Sequence, residues 1–408
     1  MTGAGAGPRP WLSVVGLHED GLAGLGAAAR ALVDGARTLV GDARMLGHLP
    51  EDGRERLSWP KPLSALFPDL ERRRGQPVCV LASGDPLVHG IGALIAARFP
   101  DAVFVPAPSS LALARARMGW DEAAVDSLSL HHQPLETLAG VLCPGARLVL
   151  LTRDGTTPAA VAALLTQRGY GASRLTVFER LAGPREARLD GLAACWPQGA
   201  VDDLNVLAVE CLADGDAVAL PRAPGFADDL FVSDGVMTKR EARVLTVSAL
   251  QPLPGQLLWD VGAGCGSIGI EWLRAAGPRA RALAVEAKPE RQALIAANRS
   301  GFGATRLEIV AGSAPGALAG LAAPDSVFIG GGLTAPGVFE ASWQALKPGG
   351  LLVANAVSLE AEAALTALAR CHGGSLIRIE ISRTVPLGGF TGWRPLMPLT
   401  QWTIRKAR

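Results

Sequence analysis

Hydrophobic residues in this 408-residue chain fall into short continuous runs, and most runs are followed by a stretch with helical spacing. Residues 11–17 read as a strand, 22–33 as an Ala/Leu-rich helix and 38–40 as a second strand. The polar, proline-containing stretch 50–76 holds one helix near 63–73. Residues 77–82 form a third apolar run, which ends on Ser83-Gly84-Asp85-Pro86. A helix over 90–98 and a strand over 102–105 lead to the turn Pro106-Ala107-Pro108-Ser109-Ser110. A second unit begins near Leu111, with strands over 147–151, 174–178 and 205–209 and a helix over 158–168. Short apolar runs separated by helices predict a mainly parallel sheet with helices on its faces.

Residues 213–227 interrupt this pattern with two prolines and two glycines and no helical period, as a linker does. Beyond them a helix is expected over 238–250, with Thr238 as N-cap and Glu241 three residues on, as in a capping box. Strands follow over 257–261, 282–286, 307–310, 326–329 and 351–354, with a helix over 289–298, and a final pair over 375–381 and 400–405. The expected organisation is residues 10–212 in two lobes divided near 108–111, a linker over 213–227, and a second α/β domain over 228–408.

A chain of this length is expected to form two or three domains. Hydrophobic residues make up 49% and charged residues 19%, which suits buried cores and excludes a disordered chain. The 39 basic and 38 acidic residues leave a net charge of +1, without the basic surplus that nucleic-acid binders usually carry. Six cysteines are scattered without a C-x-x-C pair, so neither structural zinc nor a disulfide framework is expected. No run of 18 apolar residues occurs; a soluble, cytoplasmic protein is expected, with no membrane partner.

The candidate chemistry of the second domain starts at Asp260-Val261-Gly262-Ala263-Gly264-Cys265-Gly266, between a strand and a helix start. Such a turn lets backbone press against a nucleoside-bearing ligand. G-x-G-x-x-G also matches at Gly264, Gly266 and Gly269, so a nicotinamide or flavin site enters the comparison. Three downstream features favour S-adenosylmethionine instead. Glu286, 20 residues past Gly266, ends the next strand, where a carboxylate can accept both ribose hydroxyls. Gly312-Ser313-Ala314 after the third strand leaves room for adenine, and Lys347-Pro348-Gly349-Gly350 precedes the fifth. Together these resemble the class I S-adenosylmethionine-dependent methyltransferases, with their Rossmann-like seven-stranded sheet. Gly330-Gly331-Gly332 stands where an Asn-Pro-Pro-Tyr-like segment would mark methylation of adenine or glutamine nitrogen.

In the first domain, Ser83-Gly84-Asp85-Pro86 followed by Pro106 to Ser110 resembles the tetrapyrrole (corrin/porphyrin) methylase family. Ser129-Leu130-His131, Leu151 to Gly155 and Phe178 to Leu181 are further fits. The resemblance implies a two-lobed fold unrelated to the class I sheet. It also implies a cofactor held by Gly84, Asp85 and Pro86 and by the helix start at Ser109 and Ser110. One loop departs: the family's Gly-x-Gly-Pro-Gly-Asp is replaced by Gly16-Leu17-His18-Glu19-Asp20-Gly21.

The two domains in this order, the second introduced by Asp229-Leu230-Phe231 through Arg243, are similar to the bifunctional methyltransferases of cobalamin biosynthesis. That resemblance implies one S-adenosylmethionine site per domain and a precorrin substrate methylated at bridge carbons 5 and 15. It further implies loss of the ring C acetate carboxyl as carbon dioxide, and a homo-oligomer. Position 15 and the decarboxylation fall to the second domain, position 5 to the first. The substrate carries several carboxylates, so Lys239, Arg243, Arg383 and Arg394 are candidate substrate contacts, while Thr238 would reach the cofactor. His131 and His132 are candidate bases, with a structural role as the alternative. Two other readings stay open: a first domain that only docks the tetrapyrrole, suggested by the altered loop, and an RNA methyltransferase.

Overall fold

Continuous apolar runs become strands buried on both faces, and they set the architecture. The computed structural model describes residues 10–197, 199–215 and 217–408. The chain folds as two compact units, one built from the chain up to Leu135 together with Cys143–Val218, the other from Glu136–Leu142 and Ala219–Arg408.

The first unit contains two five-stranded sheets. In the first, strand order is Glu55–Ser58, Thr38–Gly41, Val78–Ser83, Leu12–Leu17, Val103–Val105, all parallel. Leu12–Leu17 is wholly buried near the middle. The second sheet corrects the expectation of mainly parallel pairing. Its order is Asp126–Ser129, Arg147–Leu151, Asn205–Glu210, Arg174–Glu179, Ala187–Leu192, and only the first pair is parallel. The crossover helix Thr157–Gln167 does leave Arg147–Leu151 and Arg174–Glu179 pointing the same way. Asn205–Glu210 then inserts antiparallel between them, a pairing that the strand–helix alternation cannot reveal.

The second unit holds a seven-stranded sheet ordered Leu307–Ala311, Arg281–Glu286, Leu257–Val261, Ser326–Ile329, Leu351–Ala356, Leu399–Arg405, Ser375–Ile379. The first five run parallel and Leu399–Arg405 runs antiparallel to both neighbours. This is the sheet expected from the class I resemblance. A separate two-stranded ribbon, Ser382–Leu387 with Phe390–Pro395, lies in sequence between the last two strands and was not expected. The helix begins at Arg240, with Lys239 as N-cap and no side-chain cap bond, so the expected Thr238 capping box does not form.

Described residues of 213–227 form neither helix nor strand, yet the end of that stretch is no free linker. Phe226 is 2% exposed, stacks on Phe302 at a centroid distance of 5.2 Å, and belongs to the core of the second unit. Among the described residues no helix is long and apolar enough to cross a membrane.

Candidate active sites

In the second unit the strand Leu257–Val261 delivers Asp260 and Val261 into the glycine turn at the carboxyl edge of the sheet. Gly262, Gly264 and Gly266 have φ of 71°, 62° and 80°, values that favour glycine. A Cβ on Gly262 would meet the Gly331 backbone at 2.8–2.9 Å, so Gly330 to Gly332 serves as the facing wall of the turn. A Cβ on Gly264, by contrast, would meet only the Val236 carbonyl oxygen, at an ordinary contact distance of 3.9 Å. Glu286, 5% exposed, ends the neighbouring strand; one of its oxygens accepts the Gly264 N–H at 2.8 Å, the other the Lys288 N–H at 3.1 Å. The Gly312 N–H bonds the Glu286 carbonyl at 3.1 Å, which brings the third strand's exit to the same edge. Ser313 is exposed and Ala314 half-buried.

Asp260 is buried, and its Oδ2 accepts the Gly269 N–H at 3.0 Å while Oδ1 has no partner. Burial, with the nearby Glu286 charge adding to it, raises this carboxyl to about 7. The segment before the helix is fastened to the turn by buried Asn298, whose amide donates to the carbonyls of Val232 and Cys265 and accepts the Val232 N–H.

The candidate substrate cations separate. Arg243 is fully buried and unavailable to a substrate, which corrects the expectation. Its guanidinium pairs with Glu271 and Asp228 at 2.8 Å each, donates to the carbonyls of Thr238 and Phe226, and stacks over Phe231. Sequence pattern misses this because the partner carboxylate, Glu271, sits on another helix. Arg383, on the ribbon, pairs with Asp228 and Glu241. Arg394 is exposed on the opposite ribbon strand, in register with Arg383, and Lys239 is half-buried at the helix start. Thr238 is half-buried beside it, its carbonyl committed to Arg243.

In the first unit the Ser83 to Pro86 turn leaves the strand Val78–Ser83 at the same kind of edge. Gly84 has φ of 61°, and a Cβ on Gly16 would meet the Gly84 carbonyl oxygen at 2.0 Å, so these loops interlock through glycine. Asp85 accepts the Leu87 N–H at 2.9 Å and shapes the turn, while Pro86 is buried and its carbonyl accepts the Gly92 N–H. Ser109 caps the helix Ser110–Met118 by accepting the Ala112 N–H at 3.1 Å. Gly84 and Ser110 line a cavity of about 710 Å³; Asp85, Pro86 and Ser109 do not line it. His131 and His132 line it as well.

The altered loop contributes Glu19, which sequence reasoning left without a role. Its carboxylate pairs with Arg44, His48 and Arg180, the last from the second lobe. Burial alone would raise the Glu19 carboxyl, but hydrogen bonds from Arg44 and His48 outweigh it and hold it below the usual range. His18 beside it has an unpartnered buried Nε2, and burial lowers its basicity.

Comparison with known proteins adds the family. The profile described as "Tetrapyrrole (Corrin/Porphyrin) Methylases" matches residues 22–194, and that described as "Precorrin methyltransferase domain" matches residues 229–406. A Sinorhizobium protein named precorrin-6Y C(5,15)-methyltransferase [decarboxylating] is 48% identical over 401 residues, covering 97% of both chains. The chain belongs to this family. A member from Mycobacterium tuberculosis is 41% identical, over 96% of this chain and 99% of its own. A Pyrobaculum aerophilum protein named for cobalt-precorrin-6B C(15) methylation with decarboxylation is 32% identical over 182 residues, covering 43% of this chain and 93% of its own.

As a precorrin-6Y methyltransferase, the chain is S-adenosylmethionine-dependent. The residues of the second unit fit that cofactor: the glycine turn is unobstructed at Gly264 except for the Val236 carbonyl at 3.9 Å, and the Glu286 carboxylate keeps lone pairs beyond its two backbone bonds. In the first unit, the glycine-built turn beside a large cavity suits the same ligand.

Proposed function

We propose that both halves of this precorrin-6Y methyltransferase are active, each with its own S-adenosylmethionine site. The N-terminal half methylates position 5; the C-terminal half methylates position 15 and decarboxylates the ring C acetate. One observation carries this reading: a glycine-built turn at the carboxyl edge of a parallel sheet occurs in both units, in two unrelated folds. The C15-named relative, which matches under half of this chain, supports assigning position 15 and the decarboxylation to a single half.

S-adenosylmethionine, when bound, supplies an activated methyl group on a sulfonium. In the C-terminal half Gly262, Ala263, Gly264, Cys265 and Gly266 would hold it through backbone, Glu286 would accept its ribose hydroxyls, and Gly312, Ser313 and Ala314 would flank its adenine. Asp260 fixes the turn through Gly269, and Thr238 would reach the cofactor from the segment before the helix. In the N-terminal half Gly84 and Ser110 would touch the cofactor, and Asp85, Pro86 and Ser109 would hold the turn and the helix start in place. A bridge carbon flanked by pyrrole nitrogens is already nucleophilic, so the chain's task is alignment and exclusion of water. For decarboxylation the substrate's own conjugated imine takes the electron pair. The protein must orient the departing carboxylate without a strong salt bridge, which would stabilise the ground state. Of the candidate cations, Arg394 and Lys239 suit that loose contact best, because neither is locked in an ion pair among the described residues.

The enzyme is further taken to be a homo-oligomer. Leu387 and Phe390, exposed cross-strand neighbours on the two-stranded ribbon, support this.

Titration calorimetry of the full chain with S-adenosylhomocysteine tests the two-site reading. Two sites per chain are expected, and Glu286→Ala should weaken one of them by about tenfold or more, the loss of charge-assisted hydrogen bonds to the ribose. A single site in the wild-type chain would leave the N-terminal half as a docking lobe.

A further inference from the structure

The N-terminal cavity is lined by acidic and basic side chains, and their pairing sorts them into two groups. In one group Glu19 is matched by Arg44, His48 and Arg180. Asp42 is used as a helix cap for the Met45 N–H, with Arg44 at 3.8 Å. Asp203, beside the loop that carries Arg153, accepts the Gly155 N–H at 2.9 Å. These charges are spent on the protein itself.

A second group differs. Strands Asp126–Ser129 and Arg147–Leu151 are parallel neighbours with Ser129 opposite Leu151, so the residues that follow each strand emerge side by side at the carboxyl edge. Those residues are His131-His132 and Thr152-Arg153. The Leu130 N–H bonds the Leu151 carbonyl at 2.8 Å and locks the two exits together. The histidine rings meet edge to face at 4.4 Å. Arg153 is exposed, lines the cavity, and forms no ion pair among the described residues; only its backbone is engaged, with the Thr157 hydroxyl. The Arg153 guanidinium is a donor fork with no side-chain acceptor among the described residues, the imidazoles on the neighbouring strand exit can each offer an N–H, and a carboxylate is the group that completes such a set. Ligands of open α/β sheets collect outside the carboxyl ends of parallel strands, where this cluster stands.

We propose that His131, His132 and Arg153 form a subsite that receives a peripheral carboxylate of the tetrapyrrole and sets its orientation in the N-terminal half. The proposal rests on reading this cavity as the site of position 5 methylation. The subsite explains why the histidines need no catalytic duty: they are donors to the macrocycle's rim. It also leaves Gly84 and Ser110 to the cofactor.

The full-length chain is assayed with precorrin-6Y and 13C-methyl cofactor, and NMR resolves the methyl at position 5 from that at position 15. Arg153→Gln is expected to raise the KM for position 5 methylation by about tenfold or more, the effect of losing one charge-assisted hydrogen bond. S-adenosylhomocysteine affinity and position 15 methylation should stay within about twofold, since no cofactor contact is removed, and Arg153→Lys should recover part of the loss. His131→Gln should act in the same direction as Arg153→Gln. An unchanged KM in both variants, or a parallel loss of cofactor affinity, would overturn the subsite. Wild-type protein that places no methyl at position 5 would overturn the active-site reading beneath it, and the subsite with it.

Discussion

Asp260 is the residue whose surroundings are least visible in the sequence. As the first acid of the glycine motif it reads as an ordinary ionised carboxylate, yet it is buried with one oxygen unpaired. Its pKa rises from 3.8 to about 7, so the folded protein keeps a proton that the unfolded chain releases between those values. Stability from this group is therefore greatest at low pH and falls as pH rises from about 4 to about 7, by an amount on the order of 2–4 kcal/mol. Asp260→Asn keeps an acceptor for the Gly269 N–H and removes the titration. Melting temperatures of the cofactor-free proteins at pH 5 and pH 8 should show the wild type losing more than the variant across that interval. Parallel losses would mean that Asp260 is ionised throughout.

Other residues show the same limit of sequence reading. Asp260 to Gly266, Glu286 and Gly84 were legible because a turn that demands φ above zero must spell out its glycines, and because a carboxylate closes the next strand. Arg243 was not. A basic residue on an amphipathic helix looks solvated, and only the fold brings Glu271, Asp228 and the ring of Phe231 around it. Glu19 is similar, because two of its three partners lie 25 and 161 residues away.

At the scale of elements, most strands that were read correctly are buried on both faces and therefore continuously apolar, as in Leu12–Leu17 and Leu257–Val261, with the exposed Ser375–Ile379 an exception. The missed ones, Glu55–Ser58, Asp126–Ser129, Ala187–Leu192 and both ribbon strands, Ser382–Leu387 and Phe390–Pro395, carry too little buried apolar surface to imprint a pattern. The glycine turn makes a prediction of its own. Gly262→Ala suffers both a left-handed backbone and a clash with the Gly331 backbone at 2.8–2.9 Å, whereas Gly264→Ala makes only an ordinary contact with the Val236 carbonyl at 3.9 Å and suffers only the former. Gly264→Ala should destabilise by about 1–2 kcal/mol, and Gly262→Ala by roughly 1–3 kcal/mol more. Urea unfolding followed by tryptophan fluorescence, with Trp259 and Trp272 buried nearby, would give the difference. Equal losses would mean that Gly331 gives way and is no wall for the turn.

For the whole molecule, two glycine-built turns on unrelated sheets, joined in one chain of the precorrin-6Y methyltransferase family, make a double methylation the central claim. The most direct measurement is the mass of the product made by the purified chain from precorrin-6Y and methyl-labelled S-adenosylmethionine. Two labelled methyl groups gained and one carbon dioxide lost are predicted for each substrate consumed. One methyl gained together with the loss of carbon dioxide would contradict the account and leave the N-terminal half without a catalytic role.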